Sequence, residues 1–275
     1  MKSPLAYVGG KSILSREIVK MIPEHKTYCE AFAGAGWVFF RKEPSSTEVL
    51  NDLDSDLISF YRVLQNHLEE FLKQFKWLLT SREVFDDWKN QIEGRGLTDI
   101  QKAARYFYLQ RLCFGGRVKN RSFGVVIEDT PRINLLRIEE ELSHVHLRLV
   151  GVTIENLNWK EFISRYDRPE TFFYLDPPYY LKPCYKYNFD GINSFVELKD
   201  VLLGIKGKFI LSLNDHPEIR SVFKDFKIRP VKLNYSVSKE KVTQGEELII
   251  SNFQEEKGKE LFDLEDLKDE GTEDA

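Results

Sequence analysis

The chain has 275 residues, 42% hydrophobic and 31% charged, enough for one large core or a core domain interrupted by a second unit. No apolar run nears the roughly 20 residues of a bilayer span, the start MKSPLAYVGGKS lacks the apolar stretch of a secretory signal, and Cys29, Cys113 and Cys184 stand apart with no CxxC pair, so a cytoplasmic protein without membrane partner, disulfide scaffold or structural metal is expected. The net charge of −4 argues against a nucleic-acid partner only until it is divided: residues 255–275 carry ten acidic and three basic side chains, which leaves residues 1–254 at +3.

In chain order, GGKS at 9–12 imitates the end of a phosphate-binding loop, but the required first glycine falls on Leu5 and no strand precedes it. Helical apolar spacing covers 12–22 and stops at Pro23. YCEAF (28–32) reads as a buried strand, AGAG (33–36) as a small-residue turn into a helix, TEVLN (47–51) as a second strand and 56–67 as a helix. This order is a βαβ unit and implies a parallel sheet. Residues 67–148 turn helical, with a hairpin expected near 114–127. Strands resume at 150–156, 171–175, 208–213, 228–235 and 247–253, the last two as an antiparallel edge hairpin. The expected organisation is a discontinuous α/β domain (1–66 and 149–254), a helical insertion (67–148) and an acidic, solvated tail (255–275).

Gly34 and Gly36 let the main chain turn tightly beside a helix N-terminus. The third glycine of a dinucleotide fingerprint is replaced by Phe39, so the turn alone is compatible with a plain tight connection. Asp52 lies 16 residues past Gly36, near the spacing at which an acid accepts from ribose hydroxyls. Capping of the following helix is the competing use of Asp52 or Asp54.

TFFYLDPPYY (171–180) carries the most chemistry. Pro177 and Pro178 fix two φ angles and remove two donors, leaving rigid carbonyls beside the Asp176 carboxylate, with Tyr179 as an aromatic face. Two acceptors and a stacking plate suit a planar group with an exocyclic amine, namely a nucleobase. Because the lone pair of such an amine is delocalised into its ring, two acceptors on its N–H bonds can steer it toward an electrophile.

[DN]PP[YFW] after an apolar strand, downstream of FxGxG, resembles the signature of amino-methyltransferases that use S-adenosyl-L-methionine. PLAYVGGK (4–11), EAFAGAG (30–36), LND (50–52), DPPYY (176–180) and ELIISNF (247–253) together resemble the Dam-type (alpha-class, D-P-P-Y) DNA adenine-N6 methyltransferase family, over most of residues 4–253. The resemblance implies a Rossmann-like methyltransferase sheet with an inserted, mainly helical DNA-recognition domain. It implies cofactor contacts from Tyr7, Lys11, Phe32, Gly34, Gly36, Asp52 and Asp176, with S-adenosyl-L-homocysteine as product and no metal. Asp176 and the Pro177 carbonyl would take the target amine, with Pro178 holding the turn and Tyr179 stacking on an adenine flipped from the duplex. Two departures stand out. Asn158 precedes Trp159 where relatives often have Asp, and an Asn can still contact the cofactor's adenine; Ala33 replaces a frequent cysteine.

Residues 102–121 hold six basic and no acidic side chains, with Tyr106, Phe107, Tyr108 and Phe114 interleaved. Such a stretch suits phosphate contact and support of an opened duplex, while a core aromatic stripe is the alternative. Arg111, Arg117, Lys119, Arg121 and Arg132 are the expected contacts to double-stranded DNA, Arg117 and Arg132 being the candidates for bidentate base or phosphate contact. A cognate restriction endonuclease is the genetic partner that such an enzyme implies. Methylation of RNA or of a protein glutamine, and a catalytically silent DNA-binding relative, are the competing readings. The basic insertion favours DNA, and intact Gly34, Asp52 and Asp176 favour an enzyme.

Overall fold

The TFFYL run is buried along its whole length in β4 (Thr171–Leu175). Its continuous apolar character follows from being covered on both faces and paired on both edges. Phe172 and Tyr174 enter one hydrophobic cluster, Phe173 and Leu175 another. The computed structural model describes residues 1–254 except 8–10, 79, 93, 95, 125–132, 135–136, 183–184 and 239–240, and not the side chains of 233–245.

Five strands run parallel: β1 (Thr27–Glu30), β2 (Thr47–Asn51), β3 (Thr153–Glu155), β4 and β5 (Lys208–Asn214). β6 (Lys227–Ser238) and β7 (Lys241–Ser251) close one edge as the antiparallel hairpin expected from the sequence, longer than its apolar core suggested. The sheet order is β3-β2-β1-β4-β5-β7-β6. From β1 the chain winds outward through β2 and β3, and from β4 it winds the other way. The β1/β4 junction is therefore the topological switch point, where open α/β sheets bind ligands at the carboxyl ends of their strands.

One face packs against α1 (Leu14–Met21), α2 (Trp37–Arg41), α3 (Ser55–Asn66), α4 (Leu68–Lys73), α5 (Arg82–Asn90), α6 (Asp99–Leu112) and α7 (Ile138–Leu149). The other face carries α8 (Trp159–Tyr166), α9 (Gly191–Leu203) and α10 (Pro217–Val222). Helix starts follow local chemistry. Asp54 caps α3, Ser81 caps α5, Thr98 and Gln101 form a reciprocal capping box on α6, and Pro217 opens α10 behind His216.

α6 is the hub of the helical segment. Every residue from Ala103 to Gln110 is buried, so the helix is enclosed on all sides rather than presenting one wet face. Phe107 stacks on Phe60 of α3 at 5.8 Å and meets Phe71 and Phe75, while Tyr108 packs on Trp88 of α5 at 4.8 Å. Removing a ring buried like Phe107 costs about 3–5 kcal/mol. The aromatics 106–108, considered for contact with an opened duplex, are core. The described part of the expected hairpin is a loop that opens on a 3-10 turn at Phe114–Gly116 and is closed by an antiparallel bridge, Cys113 to Phe123. Residues 125–127 of that stretch, Arg132, Cys184 and the acidic tail lie outside the described residues.

Candidate active site

Three strand ends deliver the polar groups of one cleft. After β1 the chain turns through Gly34 (φ +47°) and Gly36 (φ +66°), and Gly36 is the residue from which α2 starts. Both angles lie in the left-handed region that glycine adopts without strain. After β2, Asp52 turns back on this loop: one carboxylate oxygen accepts the Gly34 N–H at 3.0 Å, the other the Asp54 N–H at 2.9 Å. Asp54 is the helix cap, accepting the Asp56 N–H, which leaves Asp52 for the cleft. Burial pushes the Asp52 carboxyl up to about 6, against the pull of its backbone hydrogen bonds.

After β4, Asp176 stands at the same end of the sheet. Ser212 Oγ donates to its Oδ1 at 2.9 Å and is itself within 3.0 Å of the Tyr174 hydroxyl. Lys11 Nζ lies 3.4 Å from that Oδ1, donates to Glu247 Oε2 at 2.8 Å, and sits 4.2 Å from the centroid of the Tyr179 ring. Burial, opposed by Lys11 and reinforced by Glu247, raises the Asp176 carboxyl to about 6. Beneath it Glu30 accepts the Tyr28 hydroxyl at 2.5 Å and the Phe39 N–H at 2.8 Å, and burial carries its carboxyl up to about 8. Pro177 is buried and the half-buried Pro178 lines the cleft. The Tyr179 hydroxyl is enclosed without a partner among the described residues. Tyr180 anchors the turn from outside: its hydroxyl donates to Glu218 and its ring packs edge-on against Phe195 and His216.

Gly34, Gly36, Asp52, Lys11, Glu30, Asp176 and Pro178 line a cavity of about 340 Å³, whereas Pro177 and Tyr179, expected at the reacting centre, are outside its lining. That volume is inside the size range of small-molecule sites. Tyr7, Lys11, Phe32, Gly34, Gly36, Asp52, Asn158 and Asp176, the complete expected cofactor set, all line it. Asn158 has a second duty, capping α8 through the Lys160 N–H at 3.0 Å. The residues fit an adenosine-type cofactor on two further observations. The Trp37 indole N–H is buried without a partner among the described residues and belongs to the lining, and the lining combines aromatic faces (Phe32, Trp159, Phe189) with the Asp52 carboxylate. Sequence reasoning missed Trp37, Glu30, Ser212, Glu247, Val118 and the 185–189 segment. A tryptophan directly after the glycine turn was a usable signal; the others come from strands and loops far apart in sequence.

The D12 class N6 adenine-specific DNA methyltransferase family matches residues 7–237. This chain belongs to that family. A type II methyltransferase from Lactococcus lactis subsp. cremoris is 27% identical, with 90% of this chain and 94% of the relative covered. A DNA adenine methylase from Salmonella typhi is 25% identical over 85% of this chain and 88% of its own. A type II methyltransferase from Methanocaldococcus jannaschii is 26% identical over 68% and 71%. Adenine-specific methylation of DNA, with S-adenosylmethionine as the general methyl donor of such enzymes, is therefore the activity of the class. The RNA, glutamine and silent readings are set aside by this membership.

In this D12 methyltransferase the basic stretch divides sharply. Arg117 and Lys119 are exposed on the bridged loop, and Phe114 beside them is 55% exposed. Arg111 pairs with Glu141 and lies 5.2 Å from the Phe107 ring. Arg121, expected at the DNA surface, is buried: it donates to Gln110 Oε1 at 3.3 Å and lies 5.6 Å from the Tyr106 ring. It turned inward because its neighbours on α6 offered an acceptor and an aromatic face. Among the described residues no helix is long and apolar enough to cross a membrane, and no group of three or more His, Cys, Asp or Glu could hold a metal ion.

Proposed function

We propose that this methyltransferase binds S-adenosyl-L-methionine in the switch-point cavity and methylates an adenine flipped out of double-stranded DNA against Asp176, Pro177 and Tyr179, without a metal. The observation that carries this reading is the meeting of Asp176 with the Gly34–Gly36 turn and Asp52 at one cleft, whose Lys11 lies over the neighbouring Tyr179 ring. When bound, the cofactor supplies an electrophilic methyl group on a sulfonium and leaves as S-adenosyl-L-homocysteine. Asp52 offers carboxylate lone pairs to ribose hydroxyls, and Phe32 and Trp159 offer apolar faces. The Ser212 and Lys11 contacts both fall on Asp176 Oδ1, so Oδ2 is the oxygen assigned to the target amine. Lys11 Nζ lies 4.2 Å from the centroid of the Tyr179 ring, so a base stacking on that same face would displace the ammonium. Ionised, Asp176 is the stronger acceptor of an N–H bond and is free to take the proton the amine finally loses, and its carboxyl is raised to about 6.

The exposed cations Arg117 and Lys119 support the 67–148 segment as the target-recognition unit, on a catalytic domain formed by 1–66 and 149–254. The two type II relatives support a restriction–modification setting with a cognate endonuclease as genetic partner, in the cytoplasm. The test is transfer of tritiated methyl from labelled cofactor to mixed-sequence duplex DNA. Asp176→Ala is expected to lower the single-turnover rate by about 10²–10⁴-fold while calorimetry still detects cofactor. Folded, cofactor-bound protein that labels no duplex would sink the proposal.

A further inference from the structure

The loop that carries Arg117 and Lys119 is also a wall of the cofactor cavity: Val118, between the two exposed cations, lines it. The loop is internally closed. Cys113 bridges Phe123, the Phe114 N–H donates to the Ser122 carbonyl at 2.9 Å, and the Gly124 N–H donates to the Leu112 carbonyl at 2.8 Å. It is also pressed against the N-terminal segment. At Gly116 (φ +60°) a Cβ would stand 2.7 Å from the Tyr7 nitrogen and 2.9 Å from the Ala6 carbonyl carbon, main-chain atoms that cannot swing aside. Gln110, fully buried on α6, fixes this junction. Its Nε2 donates to the Ala6 carbonyl at 2.7 Å and to the Gly116 carbonyl at 2.6 Å, and its Oε1 accepts from Arg121. Beyond Ala6, Tyr7 faces Gly34 in the cleft and stacks on Tyr185 at 6.1 Å.

We propose that Gln110 is a positioning residue that couples duplex binding to cofactor binding, acting through Gly116 and Tyr7 on one side and Val118 on the other. The inference rests on the reading that the cofactor fills the cleft and the duplex meets Arg117 and Lys119. A carboxamide suits the task because one NH2 group holds two buried carbonyls at once while its oxygen takes a third partner. A ligand that immobilises this loop from either side lowers the ordering cost for the other, and the gain is reciprocal by linkage.

Calorimetry on the full chain with S-adenosyl-L-homocysteine, alone and with saturating plasmid duplex, reads the coupling directly. Wild type is expected to bind the product about tenfold tighter on DNA, and DNA about tenfold tighter with product. Gln110→Leu, similar in volume but without donors, is expected to leave product binding in the absence of DNA within about twofold and to cut the mutual gain below about twofold. Its cofactor KM in DNA turnover then rises although its DNA-free affinity does not, a split that mere loosening of the fold does not produce. Val118→Ala, on a half-exposed side chain, serves if Gln110→Leu does not fold, and is expected to reduce the gain about threefold. Mutual gain absent in wild type, or kept in full by the folded variants, overturns the proposal. A wild-type chain that binds no product at all overturns the assignment of the cleft instead.

Discussion

At the amino end of the sheet, Glu48 near the start of β2 is gripped by Lys42 at 2.5 Å and by Arg148, whose second nitrogen reaches it at 2.9 Å. At the carboxyl end, Asp176 just past β4 and Glu247 both meet Lys11. Both clusters are buried, yet they are wired in opposite senses. Burial pushes the Glu48 carboxyl up, but hydrogen bonds from Arg148 and Lys42 outweigh it and hold the group below its usual range. Asp176 keeps its burial penalty and rests at about 6. Arg148 also lies 3.7 Å from the Phe39 ring and donates to the Phe39 carbonyl. A carboxylate held below its usual range by two cations has little left for a ligand; one raised to about 6 gains when a ligand brings donors. The contrast agrees with one end of the sheet serving as scaffold and the other as the proposed site.

The largest expected effect breaks the scaffold cluster. Glu48→Gln leaves Lys42 and Arg148 facing each other in a buried setting, and loss of one member of such a pair costs about 3–5 kcal/mol. Urea unfolding should show this loss, while kcat/KM of the remaining folded fraction stays within about threefold of wild type, since Glu48 touches no part of the cleft. An unfolding free energy unchanged by the substitution would remove the contrast.

Next in size is the converse change at the site. Glu247→Gln removes a negative neighbour of Asp176 and, among the described carboxylates, leaves Lys11 to Asp176. In the proposed role Asp176 takes the amine's proton, which needs its carboxylate form, so at saturating cofactor kcat/KM for DNA should rise with pH through about 6 in wild type. Both consequences of Glu247→Gln lower the Asp176 pKa, so the acid limb should move down by about one unit. The plateau should fall about tenfold, because an undivided Lys11–Asp176 contact competes harder with the target amine. A limb that stays in place would mean that Glu247 does not act on Asp176.

The same contrast explains what the sequence could show. Gly34, Gly36, Asp52 and Asp176 were legible because tight turns and strand ends impose residue types locally, and a parallel sheet brings such ends together whatever lies between. Glu247 was not, since the β5–β7 pairing sets it beside β5 and Lys11 reaches it from 236 residues away in sequence. In the helical segment the signal misled in a definable way. KAARYFYLQRLC offers basic and aromatic residues together, but eight consecutive buried positions from Ala103 to Gln110 make α6 a central helix. Arg105, donating to the Gln91 carbonyl, and Arg121 are drawn inward with it. Composition alone does not distinguish a cation that faces a phosphate from one that faces a buried carbonyl.

The smallest expected effect probes the rim between these regimes. Lys186 Nζ lies 3.5 Å from both Asp54 Oδ1 and Asp56 Oδ2, with its side chain 40% exposed. It ties the cavity-lining segment that includes Tyr185 and Phe189 to the start of α3. Because solvent screens such a pair, its contribution falls in the range of about 0–1 kcal/mol. Lys186→Ala should therefore raise the cofactor KM only about two- to fivefold in dilute buffer. Since the Debye length shrinks to about 3 Å at 1 M salt, the difference from wild type should close as salt is added. The buried Lys11 contacts, 4% exposed, should respond far less to the same titration. A Lys186→Ala defect that persists at high salt would show that the side chain acts by packing over the cavity, and would move the boundary between screened rim and buried site inward to Tyr185.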